Sequence, residues 1–344
     1  MQPPFDNLEN LRTAFVAGLE QLLEAPALGA YILVLANASF DPEIFRLLRE
    51  PLERRFGEHA ARCRAAFSEG RDLDDAEDDL LVFLKLVALG FQGIGTTEVR
   101  RAGPWEVQFN LLRAFRPKRM SRSVAGGSQV PFDPDGFHFN KPFLRQETFW
   151  SGRLKGRSVE LLYNKFPFVE LHGLLVPDRE ANRPQFLSRP YHHYIWDLTQ
   201  ELAPTLPGAG FSYNSYGAHA SVNHLHFQLF VRKRSLPLLE QEWDHNGGTR
   251  EYPAPCAVYD HPDEAWKYLD HLHREEEPYN LLYLPGRLYC LPRARQGNYQ
   301  HAPWTSGFAW YEMAGGAVAF NREDYQGLDA DTIDAELRRV GVAD

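Results

Sequence analysis

A chain of 344 residues with 44% hydrophobic and 24% charged side chains is long enough for one large core or two lobes, and this excludes disordered and fibrous classes. A net charge of -9 and a pI near 5.8 deny it the dominating positive field of a general nucleic-acid or anionic-membrane binder. Cys63, Cys256 and Cys290 are few and far apart, so neither a disulfide framework nor a zinc ribbon is expected. The first residues lack a basic stretch followed by an apolar one, and the longest apolar runs, such as Tyr31 to Ala36, are too short to span a bilayer. A soluble protein of the reducing cytoplasm is expected.

From Asn7 to about Gly90 the pattern is helical, with Leu8, Leu11, Phe15, Leu19 and Leu22 recurring every three or four residues. A second helix is predicted from Pro42 to Phe67, with Asp41 as its cap and a proline in its first turn. The acidic block Asp72 to Asp79 reads as a solvated loop and helix start, followed by a buried helix from Leu80 to Leu89. After Gly103 the period shortens toward two. Trp105 to Leu111, Val159 to Tyr163 and Leu171 to Val176 read as strands, and Ser121 to Gly136 as a mobile loop. A helix over Pro190–Leu206 precedes a strand from Ser221 to Val231. A helix over Asp263–Glu277, a hairpin over Tyr279–Leu291 turning at Pro285-Gly286, and a strand within Trp310–Arg322 complete the chain. The expected class is α+β, with a mainly helical region over residues 1–100 and a sheet-rich domain over 101–344.

The most informative stretch is His224-Leu225-His226-Phe227-Gln228. In a strand, side chains alternate, so His224, His226 and Gln228 share one face while Leu225, Phe227 and Leu229 take the other. A neutral imidazole on such a face can attack phosphorus, ligate a metal or simply sit satisfied in a core. Metal needs a third ligand, and the next acid after Gln228 is Glu240, beyond Arg232, Lys233 and Arg234. His271 and His273 repeat the spacing in a predicted helix. Residues two apart diverge there by about 200°, so that pair is expected to be solvated. The adjacent His192 and His193 are read the same way. Upstream, Tyr213 to Ser221 is small, polar and contains glycine, a run whose donors suit anionic oxygens. Gln228 can donate to a phosphate oxygen without acting as an acid.

His224-x-His226-x-Gln228 resembles the signature of the transferase branch of the histidine-triad (HIT) superfamily, the branch that contains galactose-1-phosphate uridylyltransferase and diadenosine tetraphosphate phosphorylase. Further segments resemble the GDP-L-galactose and GDP-D-glucose phosphorylases in the same order. These are Trp105–Asn110 with Arg116-Pro117-Lys118-Arg119, Pro131-Phe132-Asp133 with Phe137 to Lys141, Asn164–Pro177, Tyr213–Ala218, Asn223–Gln228, and Tyr279–Leu282 with Arg322–Tyr325. The likeness spans roughly residues 105 to 330. It implies a HIT-like antiparallel sheet with two HIT-type lobes, flanking helices and a helical N-terminal extension.

The same resemblance implies a nucleotidyltransferase or phosphorylase acting on a nucleotide sugar or dinucleoside polyphosphate with inorganic phosphate, working without a metal or other cofactor. It is compatible with a homodimer. His226 would be the nucleophile, His224 would orient it, and Gln228 and Ser221 would hold phosphate oxygens with Asn214 nearby. Lys141 and Lys165 would meet the phosphate chain, Asn164 the nucleoside end, and His172 belongs to the binding set. Metal-dependent hydrolysis and a nucleotide-binding protein with a disused site are the rival readings.

Overall fold

In a computed structural model of the chain, residues 3–116, 127 and 129–341 are described. The N-terminal pattern becomes four helices. Asn7 caps α1 (Leu8–Leu23) by accepting the Asn10 N–H at 2.8 Å, and α1 buries Leu11, Phe15, Leu19 and Leu22. Helix α2 (Leu28–Phe40) is apolar nearly all round and is correspondingly buried, so it has no polar face for periodicity to mark. Asp41 caps α3 (Pro42–Ser68) as the sequence predicts, accepting from the Glu43 and Ile44 amides. The acidic block before α4 (Glu77–Leu89) is less solvated than its charge density suggests. Asp75 accepts the Leu28 N–H and pairs with Arg62, and Asp79 pairs with Lys165.

The sheet-rich part follows as β1 (Glu98–Ala102), β2 (Trp105–Phe109), α5 (Leu111–Ala114), β3 (Thr148–Leu154), β4 (Arg157–Tyr163), β5 (Gly173–Pro177), α6 (Arg189–Leu202) and β6 (Ala209–Asn214). After these come β7 (Phe227–Val231), β8 (Ala257–Tyr259), α7 (Pro262–Arg274), β9 (Tyr279–Leu284), β10 (Arg287–Pro292), α8 (Trp310–Met313), β11 (Gly316–Ala319), α9 (Arg322–Gly327) and α10 (Ala330–Val340). Eight strands form one antiparallel sheet in the order β3-β4-β5-β7-β6-β9-β10-β8, and β1, β2 and β11 form a second, in which β11 runs parallel to β2. Alternation along β7 divides the core. Phe227, Leu229 and Val231 pack with the helices α1 to α4, α6 and α7, whereas Phe230 packs with Trp310 and the second sheet. The α+β class and the antiparallel sheet are as expected.

Several elements depart from the sequence reading. The motif strand starts only at Phe227, because the backbone before it pairs elsewhere: Leu225 N–H donates to the Arg183 carbonyl at 2.8 Å and His226 N–H to Gln185 Oε1 at 2.9 Å. The predicted strand at Leu171 starts two residues later, after Leu171 itself adopts φ 47°. Trp310–Arg322 holds the one-turn helix α8 before β11, since the Glu312 carboxylate accepts the Ala309 N–H and Gly315 at φ 91° ends the turn. His192 and His273 are buried, not solvated. His192 bonds the Tyr283 hydroxyl and the Pro262 carbonyl, and His273 bonds the Tyr279 hydroxyl at 2.6 Å.

Candidate functional site

Gln228 stands at the centre of the large sheet, between Leu174 on β5 and Ser212 on β6. Its Oε1 accepts from Trp310 Nε1–H at 2.8 Å and from His172 Nε2 at 2.9 Å. An indole nitrogen can only donate, so the contacted atom is the carbonyl oxygen of the amide. His172 Nδ1 accepts the Phe168 N–H at 3.4 Å, which places the imidazole proton on Nε2, toward Gln228. His172 is fully buried, and burial lowers its pKa to about 3, so it is a neutral donor. Asn214, at the end of β6, repeats the arrangement. Its Oδ1 accepts from Asn280 Nδ2 at 2.7 Å and from the Trp310 N–H at 3.1 Å. Each carboxamide thus has its oxygen held by two donors, and among the described residues neither NH2 group has a hydrogen-bond partner. Two oriented neutral donors are a suitable lining for anionic oxygens.

The two histidines carry opposite tautomers. His226 Nδ1 lies 2.8 Å from the His224 carbonyl, which can only accept, so the proton is on Nδ1 and Nε2 keeps its lone pair. His224 Nδ1 accepts the Phe139 N–H at 3.3 Å, so its proton is on Nε2. Burial lowers both pKa values to about 4. For His224 the neighbouring His226 adds to the fall and the Arg179 backbone carbonyl opposes it, and for His226 the His224 carbonyl opposes it. Both rings are therefore neutral near pH 7. The Phe139 ring packs edge-on to His226 with centroids 5.2 Å apart, and Phe132 and Phe139 flank His224 at 5.3 and 5.5 Å. A nitrogen of each imidazole is committed to the backbone, and the two remaining nitrogens differ in kind: one is a base, the other a donor. That pattern fits a nucleophile with an oriented neighbour better than two lone pairs converging on a metal.

The structure brings His224, His226, Gln228, His172 and Asn214 together in one region. Asn164 stands at its edge, with Nδ2 3.2 Å from His172 Nε2 and Oδ1 accepting the Phe166 N–H. Ser221 is exposed on the segment before the histidines. Lys141 is half-buried and donates to the Pro134 and Asp135 carbonyls at 3.4 and 3.5 Å. Lys165 is occupied by Asp79, with Nζ 2.6 Å from the carboxylate, and so contacts the N-terminal helices. Lys118 and Arg119 lie outside the described residues.

Sequence reading missed several partners. Trp310 and Asn280 orient the two amides from more than fifty residues away in sequence. Gln185 supports the histidine backbone, donating to the Asn214 and His226 carbonyls at 2.9 and 3.2 Å and accepting the His226 N–H. Arg113 is buried, donates to the Phe166 carbonyl at 2.7 Å, and lies 4.5 Å from the centroid of Phe168, whose ring packs on His172. The basic composition of residues 113–119 was the available signal for Arg113.

Comparison with known proteins agrees with this region. Residues 105–230 match the family described as GDPGP1-like, N-terminal domain. GDP-D-glucose phosphorylase 1 of Danio rerio is 33% identical over 132 residues, which is 38% of this chain and 37% of that protein. The Homo sapiens protein of the same name is 31% identical over 140 residues, 38% of this chain and 35% of that one. The matched stretch is thus little more than a third of each curated relative. Among solved structures, yeast Ap4A phosphorylase Apa2 has a TM-score of 0.50 at 18% identity, over 77% of this chain and 94% of that one. The fold is accordingly HIT-like, and the resemblance read from the sequence to the GDP-hexose phosphorylases is borne out.

Proposed function

We propose that this chain is a nucleotidyltransferase that works as a phosphorylase, converting a GDP-hexose and inorganic phosphate into a hexose 1-phosphate and GDP through a covalent nucleotidyl-histidine. The observation that carries the reading is the tautomer of His226. With Nδ1–H donated to the His224 carbonyl and burial holding the ring neutral, Nε2 is left as a basic nitrogen. Nε2 attacks the α-phosphorus, the bond from that phosphorus to the bridging oxygen breaks, and hexose 1-phosphate leaves. Inorganic phosphate then attacks the same phosphorus, breaks the P–N bond and departs as GDP, restoring the imidazole.

The amide groups of Gln228 and Asn214 meet nonbridging α-phosphate oxygens, and His224 Nε2–H supplies a third neutral donor. Neutral donors held in place by Trp310, His172 and Asn280 need no reorganisation as charge develops on these oxygens. Localisation in the cytoplasm and a homodimeric state remain parts of the proposal. So do Ser221 and Lys141 as phosphate contacts, and Asn164 as a contact at the nucleoside end.

The test is a panel of nucleotide sugars and dinucleoside polyphosphates, each incubated with and without phosphate, with products resolved by ion-exchange chromatography. Phosphate-dependent release of GDP and hexose 1-phosphate from a GDP-hexose, abolished in His226→Ala, is the expected result. Preferential cleavage of dinucleoside polyphosphates would move the substrate assignment, and full activity in His226→Ala would overturn the role of His226.

A further inference from the structure

Both imidazoles meet one residue, Phe139. Its N–H donates to His224 Nδ1 at 3.3 Å and its ring stands edge-on to His226 at 5.2 Å. The carbonyl of the same residue accepts from Arg179 Nη2. Arg179 is only 6% exposed, and the rest of its guanidinium is also committed: Nε donates to Asn140 Oδ1 at 2.9 Å and Nη1 pairs with Glu160 on β4. The contact is reciprocal, because Asn140 Nδ2 donates to the Arg179 carbonyl at 3.1 Å and to Asn182 Oδ1 at 2.7 Å. One buried fork therefore ties the central sheet to residues 139 and 140. A planar guanidinium can hold three acceptors in fixed directions, which an ammonium cannot. The consequence appears at His224. Its Nε2 is buried without a hydrogen-bond partner among the described residues, and the backbone carbonyl that acts on the ring is that of Arg179 itself, so the Phe139 N–H on Nδ1 is the bond that sets the tautomer.

We infer that Arg179 is a positioning residue which, by holding the backbone and ring of Phe139 in place, sets the tautomer of His224 and the ring orientation of His226. Its effect on turnover rests on the reading of His226 as the nucleophile, whereas its effect on the imidazoles does not.

The experiment compares wild type, Arg179→Lys and Asn140→Ala by two-bond 15N–1H correlation on histidine-labelled protein, by steady-state kinetics and by thermal unfolding. Lysine keeps the charge opposite Glu160 but cannot hold the Phe139 and Asn140 oxygens together. Expected in wild type is a His224 with Nδ1 unprotonated and Nε2 protonated. In Arg179→Lys that signal turns into a tautomer mixture and kcat falls roughly 10- to 100-fold at nearly unchanged KM, the signature of lost alignment.

Asn140→Ala, which frees Nε of the fork and the Arg179 carbonyl but leaves Nη1 and Nη2 engaged, is expected to shift the same signals less, and it supplies the answer if the lysine variant does not fold. Retention of the wild-type His224 signal in the folded variants overturns the inference. So does a fall in melting temperature and kcat together with unchanged imidazole signals. If the signals shift as expected but the wild type transfers no nucleotide, the proposed function fails and the positioning role stands.

Discussion

Gln228→Glu separates what this side chain does for the fold from what it does for the reaction. Glutamate is isosteric, so one carboxylate oxygen keeps both donors, Trp310 Nε1–H at 2.8 Å and His172 Nε2–H at 2.9 Å. The other oxygen replaces the NH2 group, turning a donor toward phosphate into an acceptor. Losing one oriented donor to the developing charge costs about 10²–10³ in rate, or about 2.7–4 kcal/mol, and the added negative charge deepens the loss.

Gln228→Met removes the same donor but leaves the Trp310 and His172 N–H groups buried without an acceptor, each costing about 1–3 kcal/mol. The glutamate variant is thus expected to lose more activity than stability, and the methionine variant to lose several kcal/mol of stability as well. Urea unfolding and single-turnover nucleotide transfer measure the two effects separately. A glutamate variant that transfers nucleotide within about threefold of wild type would refute the donor role, since that loss is far below the cost of one oriented donor.

Burial lowers the pKa of His172 to about 3 and of His224 and His226 to about 4. The unfolded chain takes up these protons near pH 6.5, so unfolding binds protons below that pH and stability falls as the pH drops from about 6.5 toward 4. Each histidine held at about 4 contributes at most roughly 3 kcal/mol across that window, which urea titrations at several pH values would detect in wild type and find reduced in His172→Asn. For the same reason nucleotide transfer to His226 should stay level from about pH 8 to about 5.5, and an acid limb near 6.5 that belongs to His226 would contradict its burial. Lys165→Gln should cost about 1 kcal/mol or less, because the Asp79 pair is partly exposed, and should leave KM for phosphate unchanged. A large rise in that KM would return Lys165 to the phosphate chain. EDTA should leave turnover unchanged, and a loss restored by zinc would favour metal-dependent hydrolysis.

What the sequence made legible follows from which contacts are local. The cap at Asp41 and the amphipathic helix around Leu11, Phe15 and Leu19 depend on neighbours a few residues away, and both were readable. The spacing at residues 224–228 singled out His224, His226 and Gln228, although the strand geometry invoked for it holds only from Phe227 onward. The run before Phe227 is held by Arg183 and Gln185 in place of a ladder, and no local pattern announces a partner forty residues away. The same reason hid Trp310, Asn280 and Arg179. Lys165 shows the converse case. It sits beside Asn164 in sequence, but the chain bends there after β4, and its charge meets Asp79 on α4. Counting basic residues near a motif cannot tell a phosphate contact from an ion pair with another part of the fold.

The central claim is that His226 Nε2 becomes covalently bonded to the nucleotide. Rapid quenching of wild type with a GDP-hexose in the absence of phosphate, followed by intact-mass and peptide mass spectrometry at neutral to alkaline pH, addresses it directly. The account predicts a nucleoside monophosphate on His226 that forms with release of hexose 1-phosphate and is discharged as GDP when phosphate is added. Turnover with no such adduct, or an adduct mapped to another residue, would contradict it.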